Sequence, residues 1–424
     1  MERQHWELQL ERQRYEQELL MDPSNAEAHF DLAALLEDHF KEYDLARKHI
    51  EAAVELEPDN DAAHFNLALL LTSHFSEHDL ARAHFEKALA IAPDDSMTLY
   101  QLALLYDDQL NDEKMAATFY ERAIDTDPFN SLAHASYATF LSNKVHDYDK
   151  ASIHYQFAMD LDPEDADHLN NMGLLMQHQF RDYEKARYYY EQAIEKDGTI
   201  ADIHVNLANL IDAHFSELDL AEQHYHEALR LEPELARAHY DYAVMLSYSQ
   251  NRLDEARSHF EKAVALQNDH ASALRELAIL LTEHYKEHES ARSLFERSLA
   301  TDPNNYEAHL LLANLLDDHA KDYEKAMHHY VRAMAIDPGN PNTFCECAVM
   351  QMQSLKQPQK ALSNLKHALE LDPDHAESHA RLCSLYISFL DDILLAKHHY
   401  EKAVALDEQY KDLITEQIFS EAGL

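Results

Sequence analysis

A chain of 424 residues carrying 79 acidic against 35 basic side chains has a formal charge of −44 at pH 7. Such a field repels phosphate backbones and anionic headgroups, which argues against nucleic acid and membrane surfaces as partners. Only four glycines leave little room for phosphate-cradling loops or for turns with positive φ, while 46% hydrophobic residues suffice for an extensive core, so the expected class is all-α.

The first segment, residues 1–23, reads as a single helix with Tyr15 as its central aromatic. It lacks the apolar core of a signal peptide, and no run of about eighteen apolar residues follows anywhere, so a cytoplasmic protein without a membrane span is expected. From there the prolines act as a ruler: Pro23, Pro58, Pro93, Pro128, Pro163, Pro233, Pro303, Pro338 and Pro373 are separated by 35 residues or twice that, with Gly198 and Asn268 in the two skipped places. The register holds over residues 24–408 and defines eleven units. Residues 409–424 read as one more helix, with Ile414 and Ile418 on one face.

Each unit carries two helical patterns. In the second, a small residue, a large one and another small one recur at i, i+4 and i+7, as in Ala46, Ile50 and Ala53, which places all three on one face. The first helix centres on a small residue, Ala33 or Ala68, flanked by Leu32 and Leu36 or Leu67 and Leu71. Asn25, Asn60, Asp95, Asn130, Asp165, Asn305 and Asn340 stand where an N-cap belongs, and Pro341 occupies a favoured first helical position.

These residues resemble the tetratricopeptide repeat. Its helix B is matched by Ala46, Ile50, Ala53 and Pro58, and its helix A by Leu32, Ala33 and Leu36, over about nine-tenths of the chain. The repeat departs from the usual thirty-four residues by one, placed in the turn between helices A and B. Segments such as DHFKEYD stand where the family's turn glycine belongs, with Phe40, Phe75, Phe180, Phe215 or Tyr285 expected to close the hairpin end. The resemblance implies a right-handed α-solenoid superhelix of eleven repeats, with residues 1–23 and 409–424 as capping half-repeats. It also implies a non-enzymatic scaffold for protein partners, with no cofactor and no catalytic or metal residues. The alternative is that the complementary half-repeats stack head to tail into a filament.

The implied working surface is the concave helix A face. In related superhelices an asparagine ladder there holds an extended peptide, and Asn66, Asn171 and Asn206 match it, with Asn209 nearby. Asp31, Gln101, Asp241 and Glu276 share the slot, and Phe30, Phe65, Tyr100 and Tyr240 precede it. Acids such as Glu37, Asp38, Asp107 and Asp108 suit a basic or apolar-anchored segment. An acidic-tail clamp is not expected, since Arg275 alone supplies a cation in its lysine slot and Ile279 replaces the partner asparagine.

The 31 histidines are mostly periodic, in a helix A column (His29, His64, His134, His204, His239, His309, His379) and a helix B column (His49, His84, His154, His224, His259, His329, His399). They read as packing groups, and as groups that gain protons below about pH 6 and offset the negative charge. Cys345, Cys347 and Cys383 match no zinc module or disulfide framework and suit a reducing compartment.

Overall fold

The computed structural model describes residues 2–413, among which are twenty-three α-helices and no strand. They fall into two compact units, Met1–Phe215 and Ser216–Leu424. The first unit opens with a lone helix, Glu2–Met21, continues through five helical hairpins and ends on helix A of the sixth repeat, Ala201–His214. Helix B of that repeat, Leu218–Leu231, begins the second unit and precedes five further hairpins, the last ending at Leu406. The C-terminal helix expected to carry Ile414 and Ile418 lies outside the described residues; Glu408–Leu413 before it form a 3-10 turn.

Helix A begins where the sequence places its cap. The side chain of Asn25 accepts from the backbone N–H of Ala28, and Asn60, Asn130 and Asn305 repeat the contact with Ala63, Ala133 and Ala308. Two caps escape the sequence reading: His270 and His375 accept through Nδ1 from the N–H groups of Ala273 and Ser378. Each satisfies one of the N–H groups that a helix start leaves unpaired.

The turn into helix B corrects the expectation that positive φ would be scarce. Eleven non-glycine residues 35 positions apart, from Lys41 to Asp391, adopt φ between 50° and 61°. In nine repeats the last turn of helix A widens to a π-helix, Leu36–Phe40 in the first, which absorbs the residue beyond thirty-four. The N–H groups of Lys41 and Glu42 then converge on the Leu36 carbonyl, closing the helix through one left-handed residue. Lysine, serine, asparagine, histidine, arginine and aspartate all fill that place, because carbonyls at the helix end that would otherwise be orphaned offset the strain of about 1–2 kcal/mol.

The core lies between hairpins. Ala46 and its ten counterparts are all fully buried, at 0% exposure. Any larger side chain there would push two helices apart. The large residue beside each alanine, a ring in nine of the eleven repeats, fills the gap, and tyrosine hydroxyls there find partners: Tyr155 Oη pairs with Thr139 at 2.8 Å, and Tyr190 donates to Gln177 at 2.8 Å. Ser298, the one break in the Ala53 column, donates to the Ala271 carbonyl at 2.8 Å. Gly173 is small for a specific reason, since a Cβ there would stand 2.6 Å from the Tyr190 ring.

Candidate functional site

Helix A presents the expected site residues in two different states. Phe30, Asp31, Phe65, Asn66, Gln101, Asn171, Asn209, Tyr240 and Asp241 are half-buried, each with part of its surface open. Phe65 meets Phe85 edge-on at 5.8 Å, and Tyr240 packs against His270 at 4.8 Å. Asp241 is paired with Arg237 at 3.5 Å. Tyr100, Asn206 and Glu276, by contrast, are buried and linked to neighbouring groups. Tyr100 pairs with Ser136 at 2.9 Å, Asn206 donates to Asn170 at 2.8 Å, and Glu276 accepts from Tyr248 and Arg275 at 2.6 and 2.8 Å. Those three connect helices within the fold.

Of the open residues, Asn66 borders a small cavity that the sequence did not reveal. In the first unit, Ala33, Ala34, Ile50, Leu69 and Leu70 wall a space of about 160 Å³ whose polar rim is Glu37, Asp38 and Asn66. In the second unit, the same slot opens between repeats eight and nine as a space of about 90 Å³, walled by Ile279, Phe295, Leu311 and Leu315 and rimmed by Glu283 and Asp318. Burial and the adjacent Asp38 charge push the Glu37 carboxyl above its ordinary value, and Asp107 is raised in the same way beside Asp108. Carboxylates held at that disadvantage gain when a cation arrives.

The two histidine columns meet. Nδ1 of His64 lies 2.8 Å from Nδ1 of His84, and Nε2 of His64 lies 3.0 Å from the Pro58 carbonyl. A carbonyl only accepts, so His64 carries its proton on Nε2 and receives the Nδ1–H of His84. The same relay joins His29 to His49, His134 to His154, His239 to His259, His309 to His329 and His379 to His399. For the helix B members of these pairs this corrects the expected charging near pH 6. Burial, then the facing imidazole, hold His84, His154, His259, His329 and His399 down to about 4. Two nitrogens sharing one proton at that distance leave no room for a cation, and among the described residues no group of three His, Cys, Asp or Glu is placed to hold one. The three cysteines are buried and unbridged, and burial pushes each thiol up to about 12.

Four of the five bulky turn residues, Phe40, Phe75, Phe215 and Tyr285, lie under an arginine of the preceding helix B. Arg47 on helix B of repeat one lies 4.9 Å over the Phe75 ring of repeat two and bonds Glu77 at 2.6 Å and Glu51 at 2.7 Å. Arg12 repeats the arrangement with Phe40, Glu42 and Glu16, and Arg257 with Tyr285, Glu287 and Glu261. Arg187 lies 5.0 Å over Phe215. Each arginine therefore ties one hairpin to the next.

Tetratricopeptide repeat models match residues 40–96, 215–271 and 286–341, and a second such model matches 98–130. A search of curated proteins finds no match. Among solved structures, PilF of Pseudomonas aeruginosa is similar at 24% identity and a TM-score of 0.47, over 52% of this chain and 98% of its own. Yeast Tom70 is similar at 20% identity and 0.39, over 94% of this chain and 95% of its own. The human IFIT1 dimer with m7Gppp-AAAA is similar at 18% identity and 0.49, over 90% of each chain.

Proposed function

Because the chain belongs to the tetratricopeptide repeat family and is a scaffold for protein–protein contact, we propose that its helix A face binds an extended partner segment bearing lysine or arginine. The observation that carries this reading is the cavity bounded by Glu37, Asp38 and Asn66, with apolar walls behind an acidic rim. A long basic side chain matches both parts: its methylene stem lies against Leu69 and Leu70, and its charged head reaches the carboxylates. The comparable space at Glu283 and Asp318 in the second unit has the same makeup and suits a basic side chain in its own right. Phe30, Phe65 and Tyr240 offer apolar contact beside the charged contacts, and Asn66 and Asn171 offer amides to a peptide backbone.

Tetratricopeptide repeat proteins are generally non-enzymatic scaffolds. No described helix is long and apolar enough to cross a membrane.

A fluorescent lysine- and arginine-rich peptide, followed by anisotropy, tests the reading. Wild type is expected to bind it in a salt-sensitive manner. The double variant Glu37→Gln, Asp38→Asn should weaken binding roughly tenfold, by the loss of charge-assisted contacts. Equal affinity in both proteins would refute the proposal. Asn206→Ala is unsuitable here, because it removes a buried link to Asn170.

A further inference from the structure

We propose that the junction between repeats eight and nine is a receptor for one aromatic side chain, a phenylalanine or tyrosine presented by a partner polypeptide. The site lies at the turn end of the hairpins and does not depend on the basic-segment reading of the helix A face.

At four junctions a helix B arginine lies against an aromatic ring of the following turn, with distances of 5.1, 4.9, 5.0 and 4.6 Å at Phe40, Phe75, Phe215 and Tyr285. Arg292 occupies the corresponding place seven repeat lengths after Arg47. It keeps the local carboxylate, Glu296 at 2.9 Å, as Arg47 keeps Glu51. The position of the ring, however, is Ala320. The position of Glu77 is Asp322, one methylene shorter, and that carboxylate is engaged elsewhere: it accepts from the backbone N–H of Lys325 at the start of Tyr323–Ile336 and pairs with the Lys325 ammonium at 2.9 Å. Arg292 therefore has neither the aromatic ring nor the inter-repeat carboxylate bond that Arg47 has, and it lines the cleft where that ring would stand.

The neighbouring parts have not moved in to fill the space. His288 stacks on His319 at 3.6 Å and 11°, as Tyr43 stacks on His74 at 3.7 Å and 16° in the junction that has its ring. What remains is a cleft of about 450 Å³ lined by Lys286, His288, Arg292, Leu315, His319 and Ala320 among others. The complementarity is electrostatic as well as steric. A guanidinium plane attracts the electron-rich face of a ring, and the stacked imidazoles and Leu315 offer flat contact at its edge. Glu287 and Glu289 also line the cleft, and the chain carries −44, so a neutral ring suits it better than a carboxylate.

The test uses the full chain and two probes, N-acetyl-L-tyrosinamide and N-acetyl-L-leucinamide, titrated by ligand-observed NMR at pH 7.5. Tyrosinamide is expected to bind at millimolar concentrations and leucinamide roughly fivefold more weakly, the margin a partly exposed cation–π contact provides. Ala320→Phe restores the missing ring and should abolish tyrosinamide binding. Phe75→Ala should do the reverse in the first unit, adding a second site to the first. Circular dichroism confirms that each variant is folded; if Ala320→Phe is not, Arg292→Gln takes its place and should erase the preference for tyrosinamide. Unchanged binding in the folded Ala320→Phe or Arg292→Gln variant, equal binding of the two amides, or no added site in folded Phe75→Ala would each overturn the proposal.

Discussion

The junction of repeats one and two and that of repeats eight and nine share the groups around the arginine, and three of their differences bear on it directly. Lys41, Glu42, Arg47, Glu51 and His74 recur as Lys286, Glu287, Arg292, Glu296 and His319, whereas Tyr43, Phe75 and Glu77 become His288, Ala320 and Asp322. In the first, Arg47 is covered by a ring and held by two carboxylates; in the second, Arg292 keeps a single carboxylate beside an open cleft. The alanine columns are equally buried in both, so packing between helices is separable from the arginine ties at the turn end. A repeat protein can thereby differ locally without altering its core, by changing one side chain at the turn end.

Several substitutions would break or sharpen that comparison. The largest effect is expected in the shared core. Phe295→Ala, beside the second junction, removes a ring that is 1% exposed and should lower stability by about 3–5 kcal/mol in urea titrations. The matching change Ile50→Ala should cost about 2–5 kcal/mol. If either cost were negligible, the core would not lie between the hairpins.

Acid should separate repeat one from repeat eight. The His29–His49 pair of the former is replaced in the latter by Leu274 and Leu294, both buried. Imidazoles depressed in the folded chain bind protons more readily once it unfolds, so the unfolded state takes up protons between the ordinary value near 6.5 and about 4. Stability is therefore full above pH 7, falls as the pH drops through that window and levels off below it. Urea titrations at pH 7.5, 6 and 5 should show this slope, and replacing His29 and His49 together by leucine should make it shallower. A pH-independent midpoint would remove the relay from the account.

At the ties themselves the changes are smaller. Phe75→Ala should lose about 1–2 kcal/mol, since its ring is only half-buried, and Ala320→Phe should gain about 1 kcal/mol by covering Arg292. Least of all, Lys41→Gly and Lys286→Gly should each stabilise by about 0.5 kcal/mol, relief of left-handed strain outweighing added chain entropy. Thermal unfolding with matched controls resolves both signs.

The features legible in the sequence were those repeated within one helix. Ala46, Ile50 and Ala53 name a face by their spacing alone, and Asn25 or Asn60 names a helix start by its chemistry. Features made between helices were hidden. His64 and His84 stood in two visible columns, but only the crossing of helices A and B brings their nitrogens together. Arg47 and Phe75 are 28 positions apart and belong to different repeats, a separation that no single-helix periodicity marks. The turn misled for a different reason: glycine scarcity suggested few left-handed residues, whereas the helix end places lysine, serine or asparagine in that conformation, including Ser216 and Lys356 where no π-helix precedes them. For the binding face, sequence placed the residues on helix A but did not distinguish Asn66, which borders a cavity, from Asn206, which is buried against Asn170.

Hydrogen exchange of the full chain with and without the basic peptide tests the binding account most directly, because it locates the partner on the protein. The account predicts slowed exchange in helix A of repeats one and two, Ala26–Leu35 with its continuation Leu36–Phe40 and Asp61–Leu70, with helix B, Tyr43–Leu56, unchanged. Protection confined to helix B, or none on either helix at saturating peptide, would contradict it.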